Sequence, residues 1–183
     1  ETEGVFQLES SGMKQVLMGL QPQNLEDVIA LISLYRPGPM DSIPTYLRNR
    51  KDPAQVTYKT PQMAHIVDVT NGVVIYQEQV MQICRELAGF SFGQADNVRR
   101  AMSKKKLKVM EAEREHFVHG CKEPGKECAG CVANGVPEQT ANAIYDEILA
   151  FASYAFNKAH AVSYAIVSYR TAYMKRNYPH EYM

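Results

Sequence analysis

No helix runs through Pro37-Gly38-Pro39. Each proline lacks the backbone N–H that a helix uses and clashes with the preceding turn. The glycine between them tolerates backbone angles closed to other residues. The triplet therefore fixes a turn, and the flanking segments must be separate elements. On its N-terminal side, Leu25 to Leu34 reads as a buried helix with Asn24 as N-cap. On its C-terminal side, Ser42 to Lys51 reads as a short helix or loop with Arg48, Arg50 and Lys51 exposed.

The remaining punctuation is of the same kind. Leu8 to Gly19 carries Met13, Val16, Leu17 and Leu20 at helical spacing. Residues 52–68 contain prolines and read as irregular, and Val73 to Tyr76 reads as a short strand or extended run. Helices are then expected over Gln77 to Leu87, Ser91 to Met102, Leu107 to His119, Pro137 to Ser153 and Ala161 to Arg176, the last ending before Pro179. Ile144, Ile148, Leu149 and Phe151 should face inward. The fold class is mainly α with a little irregular or short β structure. An apolar content of 45% suffices for a core, and 11 Tyr with 9 Met supply large side chains in the absence of Trp. No signal peptide or apolar run of membrane-spanning length is visible. The chain begins Glu1-Thr2-Glu3 and reads as a piece of a longer cytoplasmic protein.

Charge is concentrated locally. The chain has 20 basic and 20 acidic residues, yet Arg99, Arg100, Lys104, Lys105 and Lys106 fall within eight positions. Such a run is commonly a solvated face or a helix end complementing the dipole. Here Ser91 and Gln94 form a capping-box pattern. The helix it starts would present Arg99 and Arg100 and end just before the lysines. Guanidinium forks suit phosphate. A second polar set, Asn157, Lys158 and His160, sits just before the helix expected from Ala161, whose positive pole favours an anion. Asn157 could cap that helix, and His160 could be a packing residue. The carboxylates are scattered: no Asp-x-Asp occurs, and Asp41, Asp52, Asp68, Asp96 and Asp146 fall on separate elements.

Cys84 reads as a small core residue. Cys121, Cys128 and Cys131 follow His116 and His119 in a stretch rich in Gly and Lys. Cys121, Cys128, Cys131 and His119 could form a zinc staple, although the spacing of the first half is not standard; free reduced thiols are the other reading. A standing disulfide does not suit a cytoplasmic protein. Either way the cysteines read as structural.

Five ordered blocks carry a family resemblance. They are Gly4 to Met13 (GVFQLESSGM), Leu34 to Met40 (LYRPGPM), Tyr76 to Met81 (YQEQVM), Gly89 to Lys106 (GFSFGQADNVRRAMSKKK) and Phe151 to Met183 (FASYAFNKAHAVSYAIVSYRTAYMKRNYPHEYM). Together they resemble the fingers region of the bacterial DNA polymerase III alpha subunit, a family C replicative polymerase. The resemblance implies one helical fingers domain over residues 1–183. Residues 1–13 would form the junction with the palm, with Gln7, Glu9 and Ser10 bordering the active site, and residues 120–135 an inserted Cys-containing loop. It implies a DNA-directed DNA polymerase, a nucleotidyltransferase, whose magnesium-binding aspartates lie in a palm outside this chain. This piece alone would fold but not polymerise.

Within the resemblance, Arg99, Arg100, Lys158, His160 and Asn157 would bind the incoming deoxynucleoside triphosphate. Lys104, Lys105 and Lys106 would add charge, and Arg36 would contact phosphate or template backbone unless it is a structural ion pair. Tyr154 and Tyr164 would line the nucleotide pocket, while Tyr169 and Tyr173 would be core. The expected partners are template–primer DNA, deoxynucleoside triphosphates, and the rest of the alpha chain and its holoenzyme, with no membrane. Two other readings remain open: a helical nucleic-acid-binding module without a nucleotide role, and a zinc-stapled interaction module.

Overall fold

In the computed structural model, residues 1–152, 154 and 156–182 are described. Ser153, the expected end of one helix, and Ala155 and Met183 of the last block lie outside them. The described residues form α1 (Ser11–Leu20), α2 (Leu25–Leu34), α3 (Ile43–Lys51), α4 (Ala64–Val67), α5 (Gln77–Ala88), α6 (Phe92–Ser103), α7 (Leu107–His119), α8 (Glu138–Ala152), α9 (Lys158–Asn177) and α10 (Pro179–Tyr182). The fold is mainly α, as its helical periodicities require.

Local chemistry sets most boundaries. The Asn24 side chain accepts from the Asp27 N–H at 2.9 Å and starts α2. Ser10, not Leu8, starts α1 by accepting from Met13 N–H at 3.3 Å, and the preceding residues are turns. Ser91 and Gln94 complete both halves of the α6 capping box, at 3.2 and 2.7 Å. At the Pro-Gly-Pro turn, Gly38 has φ +97°, and a Cβ there would lie 2.2 Å from the Tyr154 ring. Residues 52–68, expected to be irregular, hold short 3-10 turns and α4. The strand at Val73 to Tyr76 does not form. Its only pairing among the described residues is an isolated parallel bridge from Tyr76 to Phe156.

Two buried apolar clusters result. One gathers α4 to α8 around Phe117, which meets Phe90 edge-on at 6.3 Å and Tyr145 at 5.1 Å. Cys84, Ile144 and Ile148 are buried there as expected, with Leu149 and Phe151 packed against them. The other joins α1, α2, α3 and α9 with Ile75 and Tyr76. The N-terminal segment runs along α9, with Ser168 Oγ donating to Phe6 O at 2.8 Å and Lys175 Nζ to Glu3 O at 2.7 Å.

Tyr169 and Tyr173 are not core. They are 61% and 49% exposed, and Tyr169, Tyr173 and Tyr178 line up in ring contact on the surface. The reason is helical phase. The small residues Ala161, Ala165 and Ser168 form the buried face of α9, and the tyrosines point away from it.

Residues 120–135 are built into the first cluster. Gly130 N–H donates to Ala88 O at 2.8 Å and the Asn134 side chain to Leu87 O at 2.8 Å, closing the end of α5. Cys131 N–H and Val132 N–H donate to Phe117 O and Val118 O at 2.8 and 3.1 Å, closing the end of α7. Carbonyls that a helix end leaves without partners are thereby satisfied.

Candidate nucleotide-binding face

The first turn of α5 organises the polar face. The Gln77 side chain donates to Ser103 Oγ at 3.1 Å, at the last residue of α6. Its backbone N–H donates to Phe156 O at 3.0 Å. Next to it, the Glu78 carboxylate accepts from Asn157 Nδ2 at 2.9 Å and from Lys158 N–H at 3.1 and 3.2 Å. The two basic sets, 52 or more residues apart in sequence, thus flank one helix start.

On α6, a single carboxylate holds both arginines. Asp96 Oδ1 lies 2.7 Å from Arg99 Nη2, and Oδ2 lies 2.7 Å from Arg100 Nε. The Arg99 hydrogen bond outweighs burial and, with both guanidinium charges, keeps Asp96 below the usual carboxylate range. Arg100 is the more open, with its side chain 65% exposed against 31% for Arg99. Past Ser103 the chain turns tightly: Lys105 has φ +52°, and Lys106 N–H donates to Ala101 O at 2.8 Å. Lys104, Lys105 and Lys106 are all exposed.

On α9, Asn157 is the N-cap, accepting from His160 N–H at 3.0 Å, so the helix begins at Lys158 and not at Ala161. Lys158 and His160 therefore lie within its first turn. The Lys158 ammonium reaches Glu26 Oε2 at 3.1 Å and sits 5.3 Å from the centre of the Tyr76 ring. The His160 ring stands between Phe156 and Tyr164, at 5.4 and 4.2 Å.

Arg36 is neither an ion pair nor an open cation. It donates to Ser33 O at 3.1 Å and to Tyr154 O at 2.5 Å, and its guanidinium lies 4.1 Å from the centre of the Phe156 ring. It braces the segment that leads into Asn157. Tyr154 is exposed and lines a cleft of about 630 Å³ with Gly38, Arg48 and Lys59, a lining that does not include His160. Arg50, expected to be exposed, bonds Asp27 instead, at 3.1 and 3.2 Å.

The aspartates that form ion pairs act one at a time. Asp27 holds Arg50, Asp96 holds the two arginines, and Asp146 holds Arg114 at 2.6 Å. Among the described residues no three His, Cys, Asp or Glu side chains converge as metal ligands. Of the zinc candidates, Cys131 is fully buried, Cys121 and Cys128 are paired across a hairpin, and His119 faces Glu115 and Glu138.

The sequence does not mark Glu26, Gln77, Glu78 or Asp96 as site residues. Glu78 and Asp96 lie in recognisable blocks, but nothing in a sequence ties Glu78 to Asn157, 79 positions away.

A family model for the bacterial DNA polymerase III alpha subunit finger domain matches residues 1–125. The chain belongs to that family. It is 50% identical over 188 residues to a DNA polymerase III subunit alpha from Thermus aquaticus, a match covering 100% of this chain and 15% of the relative. A Staphylococcus epidermidis DNA polymerase III subunit alpha is 50% identical over 180 residues, 98% of this chain and 16% of the relative. The Staphylococcus aureus Mu50 protein of the same name is 49% identical over 179 residues. The fingers domain described here therefore spans about a sixth of the length of these relatives. None of its described helices is long and apolar enough to cross a membrane.

Proposed function

We propose that the face made by the C-terminal half of α6 and the first turns of α5 and α9 binds the triphosphate of an incoming deoxynucleotide, within a complete polymerase III alpha subunit. The juxtaposition of the two basic sets at the start of α5 carries this reading. The Arg99 and Arg100 side chains pair with Asp96 and the Lys158 ammonium with Glu26, while Lys104, Lys105 and Lys106 are exposed, so positive charge is in excess. The Glu78 carboxylate rests on the α9 N-terminus, where the positive pole of the helix favours negative charge.

Cations fixed before the reaction stabilise charge that develops as pyrophosphate departs. Asn157 and His160 shape the slot, and the exposed lysines steer template–primer DNA by charge that salt would screen. Magnesium chemistry is expected of carboxylates elsewhere in the alpha chain, because the singly engaged carboxylates here do not fit a metal pair. The working partners are DNA, deoxynucleoside triphosphates and the rest of the holoenzyme, in the cytoplasm.

In the complete polymerase, Arg99→Ala and Lys158→Ala should lower kcat/KM for nucleotides by about one to two orders of magnitude. Each loses a charge-assisted contact worth roughly 1.5–3 kcal/mol. DNA affinity should change little. Arg99→Lys should not recover activity, since an ammonium lacks the planar fork. Near-normal nucleotide kinetics with a small, salt-sensitive drop in DNA affinity would refute the triphosphate assignment. That outcome would favour the nucleic-acid module, which the exposed Tyr169, Tyr173 and Tyr178 row would serve by base stacking.

A further inference from the structure

We propose that Cys121 and Cys128 form a reversible dithiol–disulfide site, oxidised by exchange with a low-molecular-weight disulfide of the glutathione class. The two residues face each other in an isolated antiparallel bridge and exchange both backbone hydrogen bonds, at 3.0 and 2.9 Å. Directly opposed residues of such a pair project their side chains on one face. Their Cα atoms stand about 5.5 Å apart in this arrangement, inside the roughly 4.4–6.8 Å span that a disulfide bridges. The hairpin between them is closed by a turn at Pro124-Gly125, with Lys126 N–H donating to Glu123 O at 2.9 Å and Gly125 at φ +82°. The pairing is thus set by the backbone, and side-chain rotation is what closes the bond.

Access separates this pair from the other two cysteines. Cys121 and Cys128 are half-buried, whereas Cys84 and Cys131 have no exposed surface. The Cys128 thiol is held by donating to His116 O at 3.6 Å, whereas Cys121 Sγ only accepts from Glu123 N–H, at 3.4 Å in the exposed hairpin. The first step therefore falls to Cys121. Its thiolate attacks one sulfur of the oxidant, forming a mixed disulfide and expelling one thiol. The Cys128 thiolate then attacks Cys121 Sγ and expels the second thiol. Two protein thiols are oxidised, one small disulfide is reduced to two thiols, and no other electron carrier is needed. An accessible bond of this kind is readily reduced, so in a reducing cytoplasm the thiols persist and the bond marks oxidative load.

The location gives the bond something to act on. The Gln94 side chain, at the start of α6, donates to Lys126 O at the hairpin tip at 2.7 Å. Lys126 and Arg100 also line one cleft of about 320 Å³. Closing the hairpin would stiffen the support of the helix that carries Arg99 and Arg100.

The test is peptide mapping of the complete alpha subunit after equilibration with glutathione buffers, acid quench and alkylation. Trypsin should release peptides 115–122 and 127–158 joined as one species. Its yield should rise from about one tenth to nine tenths over about 60 mV, the span of a two-electron couple. Cys131→Ser should leave the joined species intact, and Cys128→Ser should trap glutathione on Cys121. Separate glutathione adducts on both cysteines, bonds to Cys131 or Cys84 in place of this pair, or unreacted thiols across the whole range would each overturn the proposal.

Discussion

Replacing Gln79 by alanine should be among the most damaging single changes in this domain. The side chain is 5% exposed, and its amide makes four hydrogen bonds. Its oxygen accepts from Ile75 N–H at 2.8 Å and Tyr76 N–H at 3.0 Å, and its nitrogen donates to Ile66 O at 3.1 Å and Thr70 Oγ1 at 2.7 Å. Thr70 keeps its bonds to Val67 O and Val73 O. Alanine therefore strands two N–H groups and one carbonyl. A buried polar group without a partner costs about 1–3 kcal/mol. One water in the vacated space would satisfy part of the set, so a loss of about 3–4 kcal/mol is expected.

The assay is urea unfolding followed by circular dichroism. With a slope of about 2 kcal/mol per molar, the midpoint should fall by about 1.5–2 M. Gln82→Ala is the control, because Gln82 makes only an exposed bond to Glu86 on the same helix and should cost less than about 0.5 kcal/mol. If Gln79→Ala lost no more than the control, the amide would not be holding the entry to α5 and the reasoning would fail.

Three further outcomes are expected. Burial raises the Asp27 carboxyl, but Arg50 and the N–H groups of Gln23 and Asn24 outweigh it and hold the folded pKa below the ordinary value. Stability from this pair should then be complete above the unfolded carboxyl pKa and fall away as pH drops through the folded one. Asp27→Asn should flatten that acid limb in a pH series of melts. Gly130→Ala should destabilise the domain by about 2–4 kcal/mol in thermal melts, because φ is +80° and the new Cβ would lie 2.2 Å from Gly120 N. A tolerated alanine would refute the close Gly120–Gly130 contact. The isolated 183-residue chain, with magnesium and primer–template, should give no primer extension; extension that survives repurification would contradict the scattered carboxylates.

What the sequence made legible was local. Asn24, Ser91 and Pro37-Gly38-Pro39 are signals that act on their own neighbours, and the structure follows each of them. Distant contact was not legible. The phase of α9 depended on a small-residue face meeting α2, so Tyr169 and Tyr173 read as core and lie outside. Arg50 reads as exposed, and Arg36 as a phosphate contact or an ion pair, because their partners, Asp27 and Tyr154 O, come from other parts of the chain. The stretch 120–135 reads as an inserted Cys-containing loop, and its anchors in the fold are carbonyls at the ends of α5 and α7, which no residue type announces. The basic residues of the site were visible as charges; the carboxylates and amide that set them side by side were not.

The border between the two buried clusters passes beneath the polar face. Arg99 and Arg100 ride on the cluster of α4 to α8, and Lys158 rides on that of α2 and α9. A polyanion gripped by both would act as a tie-rod across the border, so ligand affinity and the cohesion of the domain become one thermodynamic quantity. The same layout gives remote residues leverage. A core substitution that shifted α6 against α9 would move one half of the charge relative to the other, and sites that never touch a ligand could then tune the face.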